Sequence, residues 1–119
     1  MDKINIRLSD IIKRFKFEVV CGQEYLDREI KGGYVSDLLS DVIANSRDGD
    51  IWITLQGHPN IIAVAVLNEL AGIIIINGHK PDEETIRKAV AEKLPVIISD
   101  LPAYELVGRL YKLGIPGLR

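Results

Sequence analysis

The chain has 119 residues, of which 27% are charged and 47% hydrophobic, a size and mixture that suit one globular domain with its own core and exclude a disordered chain. The formal net charge of -2 and the lack of a Lys and Arg stripe exclude the phosphate-backbone contacts that nucleic acid needs. A lone Cys21 excludes an intramolecular disulfide and points to a reducing, cytoplasmic setting.

The opening MDKINIRLSD lacks the long apolar stretch of a signal peptide, so no leader is expected. Leu8, Ile11, Ile12 and Phe15 recur at helical spacing, which predicts a short amphipathic helix with Lys13, Arg14 and Lys16 on its wet face. Phe17 to Cys21 and Leu26 to Lys31 read as two half-buried strands, joined by a hairpin-like turn over Cys21-Gly22-Gln23-Glu24 at one edge of a sheet. Asp27 and Glu29 then share one face of the second strand. With Arg28 opposite and Lys31 beside them, a solvated edge is a better reading than a catalytic carboxylate pair. After Gly32 and Gly33, Ser36 is expected to N-cap a helix carrying Leu38, Leu39, Val42 and Ile43 on one face.

Asp48-Gly49 makes a turn before a strand from Ile51 to Leu55, in which Ile51 and Ile53 face one way and Trp52 the other. Gly57-His58-Pro59 leads into an almost wholly apolar helix through Leu70, ended by Gly72. So apolar a helix is expected to be buried, and its Ile61 to Leu67 run is far too short to span a membrane. The strand Ile73 to Ile76 has no polar alternation, as in the middle of a parallel sheet, and Asn77-Gly78 closes it. Pro81 opens a helix with Asp82, Glu83 and Glu84 in its first turn and Ile86, Ala89 and Val90 on its inner face. Pro95 precedes a strand from Val96 to Ser99, and Asp100 with Pro102 starts a last helix that Gly114 ends. Its apolar stripes run through Tyr104, Val107 and Tyr111 and through Leu106, Leu110 and Leu113. Successive strand-helix pairs predict an α/β fold, a three-layer sandwich around a mostly parallel sheet with an N-terminal helix and an edge hairpin. Residues 1–119 are expected to form one domain.

Ligands of open α/β sheets bind beyond the carboxyl ends of the strands, where loops converge and helix N-termini offer N–H groups. The loops in that position carry Gln56, Gly57, His58 and Asn60; Asn77, Gly78 and His79; and Ser99 with Asp100. The functional reading is a polar pocket in which the amides of Gly57 and Gly78 approach an anion or nucleotide phosphate and the imidazoles add donors. The plainer reading is ordinary loop polarity. Cys21, His58, His79 and Asp100 lack the close spacing of a zinc site, so no metal is expected, and a single cysteine at a strand end is more often a small core hydrophobe than a nucleophile. No GxxxxGK[ST], GxGxxG or GxSxG motif occurs, so neither a resident cofactor nor a recognisable catalytic centre is expected.

From Lys31 to Leu113, the segment KGGYVSDLLSDVIANSRDGDIWITLQGHPNIIAVAVLNELAGIIIINGHKPDEETIRKA and the trailing AYELVGRLYKLGI resemble the DRTGG domain family. Members are α/β modules that stand alone, lie among CBS domains in some inorganic pyrophosphatases, or sit within long phosphate acetyltransferases. They are similar to the N-terminal domain of HPr kinase/phosphorylase. The resemblance implies a regulatory, ligand-sensing or assembly role, often through dimerisation, and implies no active site. The residues that name the family map to the loops holding Gly57-His58-Pro59-Asn60 and Asn77-Gly78-His79, where neither Asp-Arg nor Thr-Gly-Gly stands here. Gly57 and Gly78 are the positions carried over.

The leading expectation is therefore a non-catalytic regulatory module, a homodimer that binds a small anionic or nucleotide ligand or a partner protein. One alternative is a small phosphoryl-transfer or hydrolytic enzyme using His58 and His79 as acid and base. Another is a pure protein-protein scaffold docking through the Phe17 to Lys31 edge, with Tyr25 and Leu26 in contact.

Overall fold

A computed structural model describes residues 5–119; residues 1–4, the start of the segment read as carrying no leader, lie outside the described residues. The chain runs through β1 (Ile6–Arg7), α1 (Leu8–Phe15), β2 (Glu18–Cys21), a 3-10 turn (Gln23–Tyr25), β3 (Glu29–Ile30), β4 (Gly32–Val35) and α2 (Leu39–Asn45). It continues through β5 (Asp50–Thr54), α3 (Asn60–Leu67), β6 (Gly72–Ile75), α4 (Glu83–Ala91), β7 (Val96–Ile98) and α5 (Ala103–Leu113).

The central sheet has the order β2-β7-β6-β5-β4. Strands β4 to β7 are parallel, and β2 joins β7 antiparallel. Strand alternation divides the core in two. Ile51, Ile53, Ile74 and Ile97 face α1 and α5, meeting Leu8, Ile11, Leu106 and Leu110. Trp52, Ile73, Ile75 and Val96 face α2, α3 and α4, meeting Val42, Ile61, Ala65 and Ala89. Each fully buried aliphatic side chain in these layers contributes roughly 1.5–3 kcal/mol, and the predicted three-layer, mostly parallel α/β sandwich results. Among the described residues, no helix is long and apolar enough to cross a membrane.

Several local expectations are corrected. The two early strands form no hairpin: β2 pairs with β7, and β3 pairs with β1 in a separate two-stranded sheet. The Leu26 and Arg28 carbonyls accept the Ser9 and Leu8 N–H groups at 2.8 and 3.0 Å, so this segment satisfies the start of α1. Asp27 lies in a turn, which removes the strand face that would have paired it with Glu29. Leu26 is partly buried and packs against the core. Gly32 and Gly33 form β4 itself. Leu38 is the N-cap of α2, while the Ser36 hydroxyl accepts the Leu38 N–H at 3.2 Å. Helix α3 stops at Leu67, before Glu69 turns left-handed at φ 54, and Gly72 begins β6. Only one side of α3 is buried, since Val66 and Leu67 are 41% and 66% exposed. On α4, Val90 faces solvent and Thr85 takes the inner position. On α5, Tyr104 and Tyr111 are exposed, so the Leu106 and Leu110 stripe alone is buried.

Candidate functional site

In-register pairing of Thr54 with Ile75 and of Ile75 with Ile98 brings the carboxyl ends of β5, β6 and β7 level. The chain then diverges. The loop after β6 leads to α4 on the Trp52 side of the sheet, whereas the loop after β7 leads to α5 on the Ile51 side. Ligands of open α/β sheets usually bind where the connections of neighbouring parallel strands diverge in this way. Gln56, Gly57, His58 and Asn60, Asn77, Gly78 and His79, and Ser99 with Asp100 all follow the carboxyl ends of these strands.

Gly57 locks the β5 loop to the β6 loop. Its carbonyl accepts the Asp82 N–H at 3.0 Å and the Thr85 hydroxyl at 2.6 Å. A Cβ at this position would stand 2.6 Å from the Lys80 carbonyl oxygen, so the close approach of two backbones requires glycine. Asn77 and Gly78 have φ values of 57° and 69° in a tight turn closed by the His79 N–H on the Ile76 carbonyl at 3.0 Å. The Gly78 N–H donates to the Ser99 carbonyl at 3.0 Å and the Asn77 N–H to the Leu101 carbonyl at 3.1 Å. These bonds join the β6 and β7 loops, and they commit the Gly78 amide that the sequence reading offered to an anion.

His58 has a local task. Its Nδ1 accepts the Asn60 N–H at 3.1 Å, and its carbonyl accepts the Ile61 N–H at 3.1 Å, so the residue caps α3 through side chain and backbone together. Neutral His58 therefore carries its proton on Nε2, the nitrogen left to face solvent. Gln56, His58, Asn60, Asn77, His79 and Asp100 are all exposed. Gln56 leans on the neighbouring loop, donating from Nε2 to the Asp37 carbonyl at 3.4 Å.

Sequence reasoning missed Asp37 and Lys80. Asp37 Oδ1 accepts the Thr54 hydroxyl at 2.8 Å and the Leu55 N–H at 2.7 Å, closing the end of β5 over a threonine that is 1% exposed. A carboxylate just past a strand end is the available signal, but Gly32 and Gly33 give β4 no side-chain pattern and so hide it. Lys80 is exposed in the loop between the Gly57 and Gly78 contacts and sets a cation among the strand-end loops. Beside them the Tyr34 hydroxyl donates to Asp41 Oδ2 at 2.8 Å, and Asn45 Nδ2 donates to Oδ1 at 2.9 Å. The Tyr34 bond, with help from Ser36 and Asn45, holds the Asp41 carboxyl below its usual range. The same bond pushes the Tyr34 hydroxyl up, and burial adds to it.

Cys21 lies at the other end of the sheet, paired with Val96 at the start of β7. The four side chains weighed as a metal set are therefore not gathered. Among the described residues, no group of three or more His, Cys, Asp or Glu is placed to hold a metal ion. Burial pushes the Cys21 thiol up, and Sγ donates weakly to the Leu94 carbonyl at 3.7 Å, the setting of a protonated core thiol.

The profile of the family described as DRTGG domain matches residues 10–113. Among solved structures, the chain is similar to the CBS and DRTGG domains of the regulatory region of Clostridium perfringens pyrophosphatase, complexed with the activator diadenosine tetraphosphate. The TM-score is 0.69 at 21% identity, and the match covers 92% of this chain and 47% of that one. This chain thus spans about half the length of the solved regulatory region. A search of curated proteins finds no match.

Proposed function

The chain belongs to the DRTGG domain family, and from that premise we propose that it is a non-catalytic regulatory module sensing a nucleotide or other small anionic ligand at the carboxyl ends of β5 to β7. The observation that carries this reading is the interlocking of the strand-end loops at the point where α4 and α5 diverge. Gly57 is bonded to Asp82 and Thr85, and Gly78 to Ser99, so a ligand seated there touches loops that are already one rigid unit. His79, Lys80 and Asp100 are exposed on it and make the expected polar contacts.

A nucleotide suits the loops better than a bare anion. Asp82 lies two residues from Lys80 and Asp100 reaches Gly78, so the loops carry carboxylates as well as a cation and charge alone gives phosphate little, whereas a base or ribose adds hydrogen bonds and stacking. The dinucleotide activator bound by the similar regulatory region supports the same class. The non-catalytic reading is supported by His58, whose Nδ1 lone pair is engaged by the Asn60 N–H, so the neutral imidazole keeps no free lone pair to act as a base. The reading takes residues 1–119 as one domain, working as a homodimer in the cytoplasm, a location supported by the free, buried Cys21 thiol.

The test is a thermal-shift screen of mono- and dinucleoside polyphosphates, inorganic phosphate and acetyl phosphate, with and without magnesium. A ligand bound only by the native state at about 100 times its dissociation constant adds about 2.7 kcal/mol of stability. The shift is expected with a nucleotide and lost in Lys80→Ala and Asp100→Ala. No shift from any compound, or a shift untouched by both variants, overturns the proposal.

A further inference from the structure

The turn that joins the β6 and β7 loops carries a reactive pair that the proposed ligand contacts leave unused. Asn77-Gly78 is the one Asn-Gly step in the chain. In such a step no Cβ screens the glycine nitrogen, which can attack the side-chain amide of the asparagine before it. Within 4 Å of where a Gly78 Cβ would stand, Asp100 Oδ1 at 3.2 Å is the single neighbour among the described residues.

The other asparagines are shielded. Asn5 and Asn60 precede isoleucines, whose branched side chains crowd the attacking nitrogen. Asn45 Nδ2 donates to Asp41 Oδ1 at 2.9 Å, and Asn68 Nδ2 donates to Ser46 Oγ at 2.8 Å. Asn77 is exposed. Asp48-Gly49 has the same form without the leaving group, because the bond to Lys31 holds the Asp48 carboxyl below its usual range and so keeps it ionised.

The attacking nitrogen is locked in the folded chain. The Gly78 N–H donates to the Ser99 carbonyl at 3.0 Å, and the Asn77 N–H to the Leu101 carbonyl at 3.1 Å. We propose that Asn77 is a self-modification site, converted to aspartate and isoaspartate when the Gly78–Ser99 bond opens. Water is the only co-reactant. Hydroxide takes the Gly78 N–H proton, the nitrogen bonds to Asn77 Cγ, and Nδ2 leaves as ammonia with a proton from water. Water then cleaves the resulting succinimide. Cleavage at Cγ gives aspartate, and cleavage at the main-chain carbonyl carbon gives isoaspartate. Either product adds a carboxylate to the turn beside Asp100. Aspartate tolerates the left-handed backbone that Asn77 adopts at φ 57°. Isoaspartate lengthens the main chain by one atom, which unfits the turn for its bonds to the β7 loop.

Succinimide formation and amide hydrogen exchange both begin with a freed, deprotonated Gly78 nitrogen, so local opening sets both rates. The experiment incubates the whole chain at mildly alkaline pH and follows each asparagine by peptide-mapping mass spectrometry, with Gly78 exchange read by NMR. Asn77 is expected to convert before any other asparagine, and more slowly than in the urea-unfolded chain. Ser99→Ala removes the hydroxyl that accepts the Leu101 N–H at 3.1 Å, and should speed conversion and exchange together by roughly fivefold. Should that variant unfold, sub-denaturing urea on the wild-type chain takes its place and should raise the two rates in parallel. An Asn77 that stays intact, an earlier conversion elsewhere, a folded chain that reacts as fast as the unfolded one, or a conversion rate indifferent to Gly78 exchange each overturns the proposal. No nucleotide is present in these measurements, so the strand-end ligand proposal stands or falls separately.

Discussion

One substitution has opposite effects at two glycines because their surroundings differ. At Gly57 a Cβ would lie 2.6 Å from the Lys80 carbonyl oxygen and 3.1 Å from Pro81 Cα, both backbone atoms that cannot swing aside. Gly57→Ala should therefore cost about 1–3 kcal/mol in urea unfolding, through overpacking. At Gly108, on the exposed side of α5, nothing lies within 4 Å, and the glycine only adds freedom to the unfolded chain. Gly108→Ala should stabilise by about 0.5–1 kcal/mol, and equal signs at the two sites would sink the argument. The Tyr34–Asp41 bond makes a second prediction. Asp41 is held below its ordinary 3.8, so its contribution is present above that value and is lost as pH falls through the depressed one. Tyr34 is raised above its ordinary 10.0, so its contribution is present below pH 10.0 and is lost as pH rises through the raised value. In Tyr34→Phe, carbon-detected NMR should find the Asp41 carboxyl titrating closer to its ordinary value, with the Asn45 bond retaining part of the shift. An unmoved titration would show that Tyr34 is not the main cause.

Among the elements, α3 depends on its cap. It has eight residues, too few to hold as a helix without tertiary packing, and its first N–H groups end on His58 and Pro59. His58→Ala should cost about 1 kcal/mol, and His58→Asn, which keeps a side-chain acceptor, should recover most of it. Equal loss in both variants would assign the imidazole a role other than capping. The elements legible in the sequence were those with a local signature. Leu8, Ile11 and Phe15 announced α1, the alternation around Trp52 announced β5, and Gly114 at φ 121° ends α5 as expected. Pairing partners were illegible because they are non-local: nothing near Val19 reveals that it lies opposite Ile97. Strand β4 was hidden by Gly32-Gly33, which carry no side-chain pattern, and its loss concealed Asp37. The strand-end residues were legible as turn chemistry at predicted strand ends. The destination of the Gly78 amide was not, since Ser99 is brought beside it only by the β6–β7 pairing.

At the scale of the whole molecule, the two ends of the parallel sheet do different work. The carboxyl end carries the candidate ligand loops. The amino end is held by the segment after α5, in which Ile115 is buried against the core and Pro116 accepts the Gly33 N–H of the edge strand β4 at 3.0 Å. Arg119 completes the strap by donating from one guanidinium nitrogen to Asp50 Oδ1 and to the Asp48 carbonyl, each at 2.8 Å. Asp50 is only 5% exposed, and its other oxygen accepts the Arg47 N–H at 2.8 Å. Arg119→Ala leaves this carboxylate with an unpaired oxygen at the start of β5, and should cost about 1–3 kcal/mol. The Asp50 side chain is 7% exposed and that of Arg119 23%, so added salt should reduce this difference little, unlike that of the open Lys31–Asp48 pair. Because strap and ligand loops lie at opposite ends of the strands, Arg119→Ala should lower stability equally with and without nucleotide, leaving the ligand-induced increment intact. A loss of that increment in denaturant titrations would mean that the sheet couples its two ends, and that the strap belongs to the sensing mechanism rather than to the frame that supports it.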